Sequence, residues 1–190
     1  MMQKNSNGVK LIIGLVGEKL AGKDEVVKYL KSKHETFHIK FSQILDEILQ
    51  ILDLPTSRRN EIDLGLGLRK VFGPEVLFRA LRKRALEVSS PLIIVNGIRM
   101  DEQDKVVKDL GAKMIYVTAP TELRFQRYQN RHEKVDDGQM DFQKFQEQEK
   151  EATEVGIPAL GAKADFRIDN VGSLEELYEK VDKIIDLISN

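Results

Sequence analysis

The sequence predicts an α/β fold, a five-stranded parallel sheet with helices on both faces. Three observations predict it. Five short apolar runs are continuous rather than alternating, as in strands buried on both sides. Stretches with helical spacing of apolar residues separate them. The first run, "LIIGLV", leads at once into "GEKLAGKD", a Gly-x-x-x-x-Gly-Lys loop that opens a helical stretch.

The strands are expected at Leu11–Val16, Phe37–Phe41, Leu92–Val95, Met114–Val117 and Phe166–Ile168, each bounded by turn signals. The first helix, Lys23–Leu30, carries Val26, Val27 and Leu30 on one side. The second, Ser42–Leu54, sets Ile44, Leu45, Ile48, Leu49, Ile51 and Leu52 on its apolar face and stops at Pro55. A helix over Glu75–Glu87 starts behind Gly73-Pro74. Another over Asp101–Leu110 ends at Gly111, a C-terminal cap. Thr121–Arg131 follows Pro120, and Ser173-x-x-Glu176 is a capping box that opens the last helix. Two stretches fit this alternation less well, Thr56–Phe72 and His132–Lys163. The second begins with the polar "HEKVDDGQMD". Both read as insertions over the sheet edge where ligands bind. The acidic helix around Glu147, Glu149 and Glu151 reads as a solvated face.

Composition narrows the function classes. The 190 residues suit one domain, expected over residues 10–190 behind a disordered polar stretch at residues 1–9. Charged residues make up 32% of the chain but nearly cancel, to a net −1, so no global field draws in nucleic acid or an anionic membrane. The absence of cysteine excludes disulfides and thiolate chemistry. Three scattered histidines argue against zinc. No apolar run reaches membrane-spanning length and no signal peptide precedes the first strand, so a cytoplasmic protein is expected.

The loop after the first strand carries the chemistry. Gly17 and Gly22 permit backbone conformations that bulkier residues resist. The backbone from Gly17 through Leu20, Ala21 and Gly22 to Asp24 and Glu25 then wraps phosphate oxygens at a helix N-terminus, and Lys23 reaches the terminal phosphates. The alternative, a strand-to-helix turn with Lys23 as a solvated first-turn residue, is disfavoured. A cation there opposes the helix dipole, which favours an anionic ligand.

At this point the chain resembles the P-loop kinases of small molecules, the nucleoside monophosphate kinases and dephospho-coenzyme A kinases, over nearly its whole length. It is most similar to archaeal adenylate-kinase-like proteins of uncertain substrate. Those show Asp-Gly-Ile-Arg, then Arg-x-x-Arg-x-x-x-Arg, then Ala-Asp-Tyr/Phe-x-Ile-x-Asn-x-Gly-Ser; this chain has "VNGIR", "RFQRYQNR" and "ADFRIDNVGS". The resemblance implies a three-layer fold with strand order 2-3-1-4-5, ATP with Mg²⁺, a small nucleotide acceptor bound by residues 56–90, and a mobile lid within residues 121–160. A monomer or homodimer is expected.

The resemblance also assigns the arginines. Arg124, Arg127 and Arg131 share a helical face by spacing. Alone they read as a solvated face; in such a kinase they close on the transferring phosphoryl group and spread its charge. Arg99, just after the third strand, would hold the acceptor's phosphate through paired hydrogen bonds. Arg58, Arg59 and Arg69 read equally as acceptor grips or as a solvated face. Asn170, in "IDNVGS", belongs to the loop that holds adenine in this fold class and would act mostly through backbone.

Two departures from the family pattern bear on metal and substrate. The third strand of relatives ends in Asp, which orders Mg²⁺ through water; here it ends in Asn96. The loop's usual Ser or Thr metal ligand is Asp24, as in some phage deoxynucleotide kinases and animal phosphomevalonate kinases. Asp24 is therefore expected to restore the charge missing at Asn96 and to serve the metal. Dephospho-coenzyme A kinases carry an Asp after the second strand, whereas "FHIKFSQIL" has none before Asp46. A hydroxyl acceptor needs a proton acceptor within reach and a phosphate does not. The expected activity is transfer of the ATP γ-phosphoryl group to a nucleoside monophosphate or similar small phosphate. A dephospho-coenzyme A kinase and a nucleotide-binding regulatory protein with little turnover are the alternatives.

Overall fold

A computed structural model describes residues 4, 5, 8–130, 140–151 and 154–189. Its centre is a parallel sheet of β1 (Leu11–Val16), β2 (Thr36–Lys40), β3 (Leu92–Ile98), β4 (Lys113–Thr118) and β5 (Phe166–Asp169) in the order 2-3-1-4-5. Residues Lys4–Asn5 and Gly8–Val9 pair as a short antiparallel ribbon ahead of it.

The continuous apolar runs follow from burial on both faces. Along β1, Ile12 and Val16 join a core with Phe41, Leu77, Leu81 and Ile157, while Ile13 and Leu15 join an opposite core with Val26, Leu30, Val181 and Ile184. Each fully buried aliphatic side chain contributes about 1.5–3 kcal/mol through removal of apolar area from water. The first core is roofed by α2 (Phe41–Ile51), α4 (Val76–Glu87), α5 (Asp101–Asp109) and α8 (Ile157–Ala162). The second is roofed by α1 (Lys23–Lys33) and α9 (Leu174–Ser189). α6 (Thr121–Gln129) and α7 (Phe142–Gln148) pack together through Phe125, Tyr128, Phe142 and Phe145.

α3 (Arg58–Phe72) occupies the stretch read from sequence as an insertion. Two glycines in "LGLG" argue against a helix by propensity. Packing overrides this at Gly65, which is buried; a Cβ there would stand 3.4 Å from Leu45 Cδ1. Ser57 caps the helix by accepting from the Asn60 amide at 3.2 Å. A bulge ends the pairing of β1 with β3: Leu15 faces Asn96, but Val16 faces Ile98. The extra residue, Gly97, has φ +81, a conformation suited to glycine. The bulge lies directly between Asn96 and Arg99, beside the phosphate loop.

Among the described residues, no helix is long and apolar enough to cross a membrane.

Candidate functional site

The site forms at the C-terminal edge of the sheet, where β1 turns into α1. Gly17 has φ +153, Leu20 φ +63 and Gly22 φ +110. A side chain at Gly17 would collide with the Val117 carbonyl, and one at Gly22 with the Asn170 amide. Leu20 holds the left-handed region without being glycine, a strained state that its surroundings must maintain.

Those surroundings are donors to carbonyls. Lys23 Nζ donates to Gly17 O and to Glu18 O, both at 2.7 Å. Arg124 Nη1 reaches Lys19 O at 3.5 Å, and Arg127 Nη1 donates to Leu20 O at 3.1 Å and Ala21 O at 3.3 Å. Asn170 Nδ2 donates to Ala21 O at 2.8 Å, and the amides of Glu25 and Val26 donate to Gly22 O. Every carbonyl from Gly17 to Gly22 thus accepts a hydrogen bond. The negative ends of the peptide dipoles are gathered onto these donors, which leaves the loop N–H groups other than that of Ala21, itself bonded to Glu18 O, to meet an anion.

Lys23 is half-buried, and desolvation, followed by the charge of Arg99, lowers its pKa to about 8. An entering anion would reverse both influences, so the lysine is set to respond to negative charge.

Asp24 and Asn96, expected to share the metal, are in direct contact: Asn96 Nδ2 donates to Asp24 Oδ1 at 3.1 Å. Lys40 Nζ donates to the same oxygen at 3.0 Å. Lys40 is opposite Asn96 in the β2–β3 register. Burial works to raise the Asp24 carboxyl, but the hydrogen bond from Lys40 and the charges of Lys40, Lys23 and His38 hold it below its ordinary value. Asn96 is only 2% exposed, and its Oδ1 is buried without a hydrogen-bond partner. Leaving an amide oxygen orphaned costs about 1–3 kcal/mol. Asp24 supplies a hard carboxylate oxygen of the kind Mg²⁺ takes alongside phosphate oxygens and water, while Asn96 turns its N–H toward Asp24 and keeps its Oδ1 buried. No cluster of three metal-ligating side chains occurs among the described residues.

The lid-helix arginines face inward. Arg124 is 4% exposed, donates to Ala119 O at 2.9 Å and Thr121 Oγ1 at 2.9 Å, and pairs with Glu149. Glu149 is therefore engaged rather than part of a purely solvated face. Arg127 donates to Asn170 O at 2.8 Å besides the loop carbonyls. Burial, then the neighbouring Arg124 charge, lowers its pKa from the ordinary value. Asn170, expected to act through backbone, also uses its side chain to clip Ala21. Arg131 and residues 132–139 of the expected lid lie outside the described residues.

Arg99, expected to hold the acceptor, directly follows the end of β3. Its backbone N–H donates to Gln103 Oε1 at 2.7 Å, and its guanidinium pairs with Glu154. The charges of Arg99 and Glu154 both act on Lys23, the first lowering and the second raising its pKa. Glu25 pairs with Lys28 at 2.7 Å, and its amide serves Gly22 O. On α3, Arg59 is exposed and paired with Asp63 at 2.6 Å, away from the loop contacts. Arg69 Nε is buried with no hydrogen-bond partner among the described residues. The side chain of Arg58 lies outside the described residues.

Sequence reasoning missed Lys40, Glu149, Glu154 and the pair Glu18–Tyr116, in which the phenol donates to the loop carboxylate. Burial, then the Glu18 hydrogen bond, raises the Tyr116 pKa. Lys40 was legible only through strand register. Glu154 pairs across 55 positions with no local signal.

The chain matches no protein-family model. It is similar to curated proteins described only as UPF0200 proteins. One, from Thermococcus gammatolerans, is 27% identical over 186 residues, covering 94% of this chain and 95% of its own. Another, from Saccharolobus islandicus, is 25% identical over 183 residues, covering 95% and 93%. Among solved structures, a shikimate kinase from Bacteroides thetaiotaomicron superposes with a TM-score of 0.62 at 14% identity, covering 95% of this chain and 99% of that one. TT1252 from Thermus thermophilus superposes with a TM-score of 0.59 at 18% identity, covering 94% and 96%. These likenesses establish the fold of P-loop kinases.

Proposed function

We propose that this protein is a P-loop small-molecule kinase that transfers the γ-phosphoryl group of ATP to a nucleoside monophosphate or similar small phosphate. The observation that carries the reading is the loop whose carbonyls from Gly17 to Gly22 are all held by donors behind it. A loop so held has a use for polyphosphate binding and little use as a plain strand-to-helix turn. Lys23 meets the terminal phosphates. Arg127, with Arg131 and Arg124, would stabilise the transferring group, by direct contact or by fixing the loop that cradles it. Such positioning and charge stabilisation supply most of phosphoryl-transfer catalysis.

Asp24 and Asn96 would hold Mg²⁺. When bound with the nucleotide, the ion neutralises charge on the phosphate oxygens. Arg99 receives the acceptor's phosphate in place of Glu154. A phosphate acceptor is already ionised, so this chain needs no base after its second strand.

One observation favours a second reading. Glu154 places a carboxylate against Arg99, where it could take a proton from an acceptor hydroxyl. That supports an alcohol acceptor such as dephospho-coenzyme A. Purified protein with ATP and Mg²⁺ should phosphorylate at least one nucleoside monophosphate in a panel that includes dephospho-coenzyme A. Rapid turnover of dephospho-coenzyme A with every monophosphate inert would select the second reading. Tight ATP binding with no acceptor phosphorylated would select a nucleotide-binding regulatory protein.

A further inference from the structure

We infer that Lys40 is a positioning residue whose ammonium and a nucleotide-bound divalent ion are alternative partners of the Asp24 carboxylate. The inference rests on the metal–nucleotide reading above. Three observations carry it. Lys40 Nζ and Asn96 Nδ2 both donate to one oxygen, Asp24 Oδ1, at 3.0 and 3.1 Å. Lys40 reaches it because the β2–β3 register sets Lys40 opposite Asn96, so strand pairing delivers a cation to this spot. Asn96 keeps its other polar atom, Oδ1, buried and without a partner. A neutral amide in this place lets Asp24 carry the only carboxylate charge of the pair, and Lys40 balances that charge.

A divalent ion arriving on Asp24 brings twice the charge of an ammonium. It cannot share one carboxylate oxygen with Lys40 without strong repulsion. The lysine pair is exposed, with side chains 41% and 65% accessible, so it is a weak pair and easily exchanged. Metal loading therefore frees an ammonium at the C-terminal end of β2. Without metal, Lys40 keeps Asp24 from repelling the incoming polyphosphate. Lys40 thus lowers the affinity for metal and keeps the loop receptive to nucleotide.

The test measures Mn²⁺ affinity by electron paramagnetic resonance, in complexes of the protein with a non-hydrolysable ATP analogue. Lys40→Met should bind Mn²⁺ about two- to fivefold more tightly than the wild type, the range set by an exposed ion pair. Lys40→Arg should return the affinity close to the wild-type value. Unchanged or weaker Mn²⁺ binding in Lys40→Met would overturn the inference while leaving the metal–nucleotide reading standing. Wild-type protein that adds nothing to the analogue's own Mn²⁺ affinity would remove that reading, and the inference with it. A second measurement needs no variant. The Lys40 side-chain ¹⁵N resonance of the wild type should shift when Mg²⁺ is added to the analogue complex. An unmoved resonance at metal saturation would refute exchange.

Discussion

Replacing Asn96 by Asp puts an acid at the end of the third strand, as in the kinases whose sequence pattern the chain resembles, and in this chain it should be harmful. The Asn96 amide donates to Asp24 Oδ1 at 3.1 Å. In Asn96→Asp that donor becomes a carboxylate facing a carboxylate. At an effective dielectric of about 20, two unit charges at that separation repel by about 5 kcal/mol. Protonating one of them at pH 7 limits the penalty to about 4 kcal/mol, given an ordinary Asp pKa of about 3.9. Lys40 offsets part of what remains. Asn96→Asp should therefore destabilise the metal-free protein by about 2–4 kcal/mol, and should cost much less when Asp24 is already Ser. The double-mutant cycle is read by urea denaturation of the four proteins without metal, and again as Mg²⁺-dependent activity. A coupling of about 2–4 kcal/mol is expected. Asp24→Ser with Asn96→Asp should recover activity that Asp24→Ser alone loses. Additivity within about 0.5 kcal/mol in stability, or no recovery of activity, would refute the idea that Asp24 stands in for the missing acid.

Lys23→Ala should abolish turnover and leave the fold intact; normal turnover would remove the phosphate-loop assignment. Gly22→Ala should cost about 2–3 kcal/mol in urea denaturation, from a strained φ of +110 and the displaced Asn170–Ala21 hydrogen bond. Arg99→Ala should raise the acceptor's KM roughly tenfold or more and barely change that for ATP, with Arg99→Ala/Glu154→Gln as a control that leaves no unpaired carboxylate. A KM change confined to ATP would misplace the acceptor. His38 is held near pKa 4 by burial first and then by the Lys40 and Lys31 charges, against about 6.5 when unfolded. The unfolded chain then takes up the proton first, so stability is full above about pH 6.5 and is lost as pH falls toward about 4. His38→Gln should flatten that part of a melting-temperature profile, and an unchanged slope would exclude His38 as its source.

The strands were legible because a parallel sheet covered on both faces leaves a signal in every residue of each run. Leu11–Val16 appears in the structure with the expected bounds. The phosphate loop was legible because its glycines are required by backbone geometry, a local property. Much of the rest depends on contacts between distant segments. α3 was read as an insertion over the sheet edge, since the tolerance of Gly65 comes from Leu45 and not from its own neighbours. The bulge at Gly97 is a mismatch of register between two strands and has no signature in either alone. The three-then-four spacing correctly grouped Arg124 and Arg127 on one face, but spacing could not say that this face meets carbonyls of the loop. Glu149 was read as solvated for the same reason: its partner is a buried arginine 25 positions away.

These contacts suggest how a chain with almost no net charge maintains a strongly anion-seeking site. Arg124 is paired with Glu149, Arg99 with Glu154, and Asp24 with Lys40. Two of these pairs join an arginine of the proposed phosphate site to a carboxylate from the region expected to form the lid. A polyphosphate and an acceptor phosphate would replace these carboxylates rather than fill a site of uncompensated cations. Affinity is then the difference between two ion pairs, which is small, whereas the energy of misplacing a charge inside the assembled site is large. Such an arrangement favours selectivity for correctly placed phosphates over tight binding of any anion. Gly156, two residues beyond Glu154, also sits against the Arg99 carbonyl, where a Cβ would stand 3.6 Å away. Glu154 can leave Arg99 only if this packed segment yields or its side chain turns. If Arg99 holds the acceptor as proposed, acceptor binding would have to displace Glu154, and this one guanidinium would link the two events.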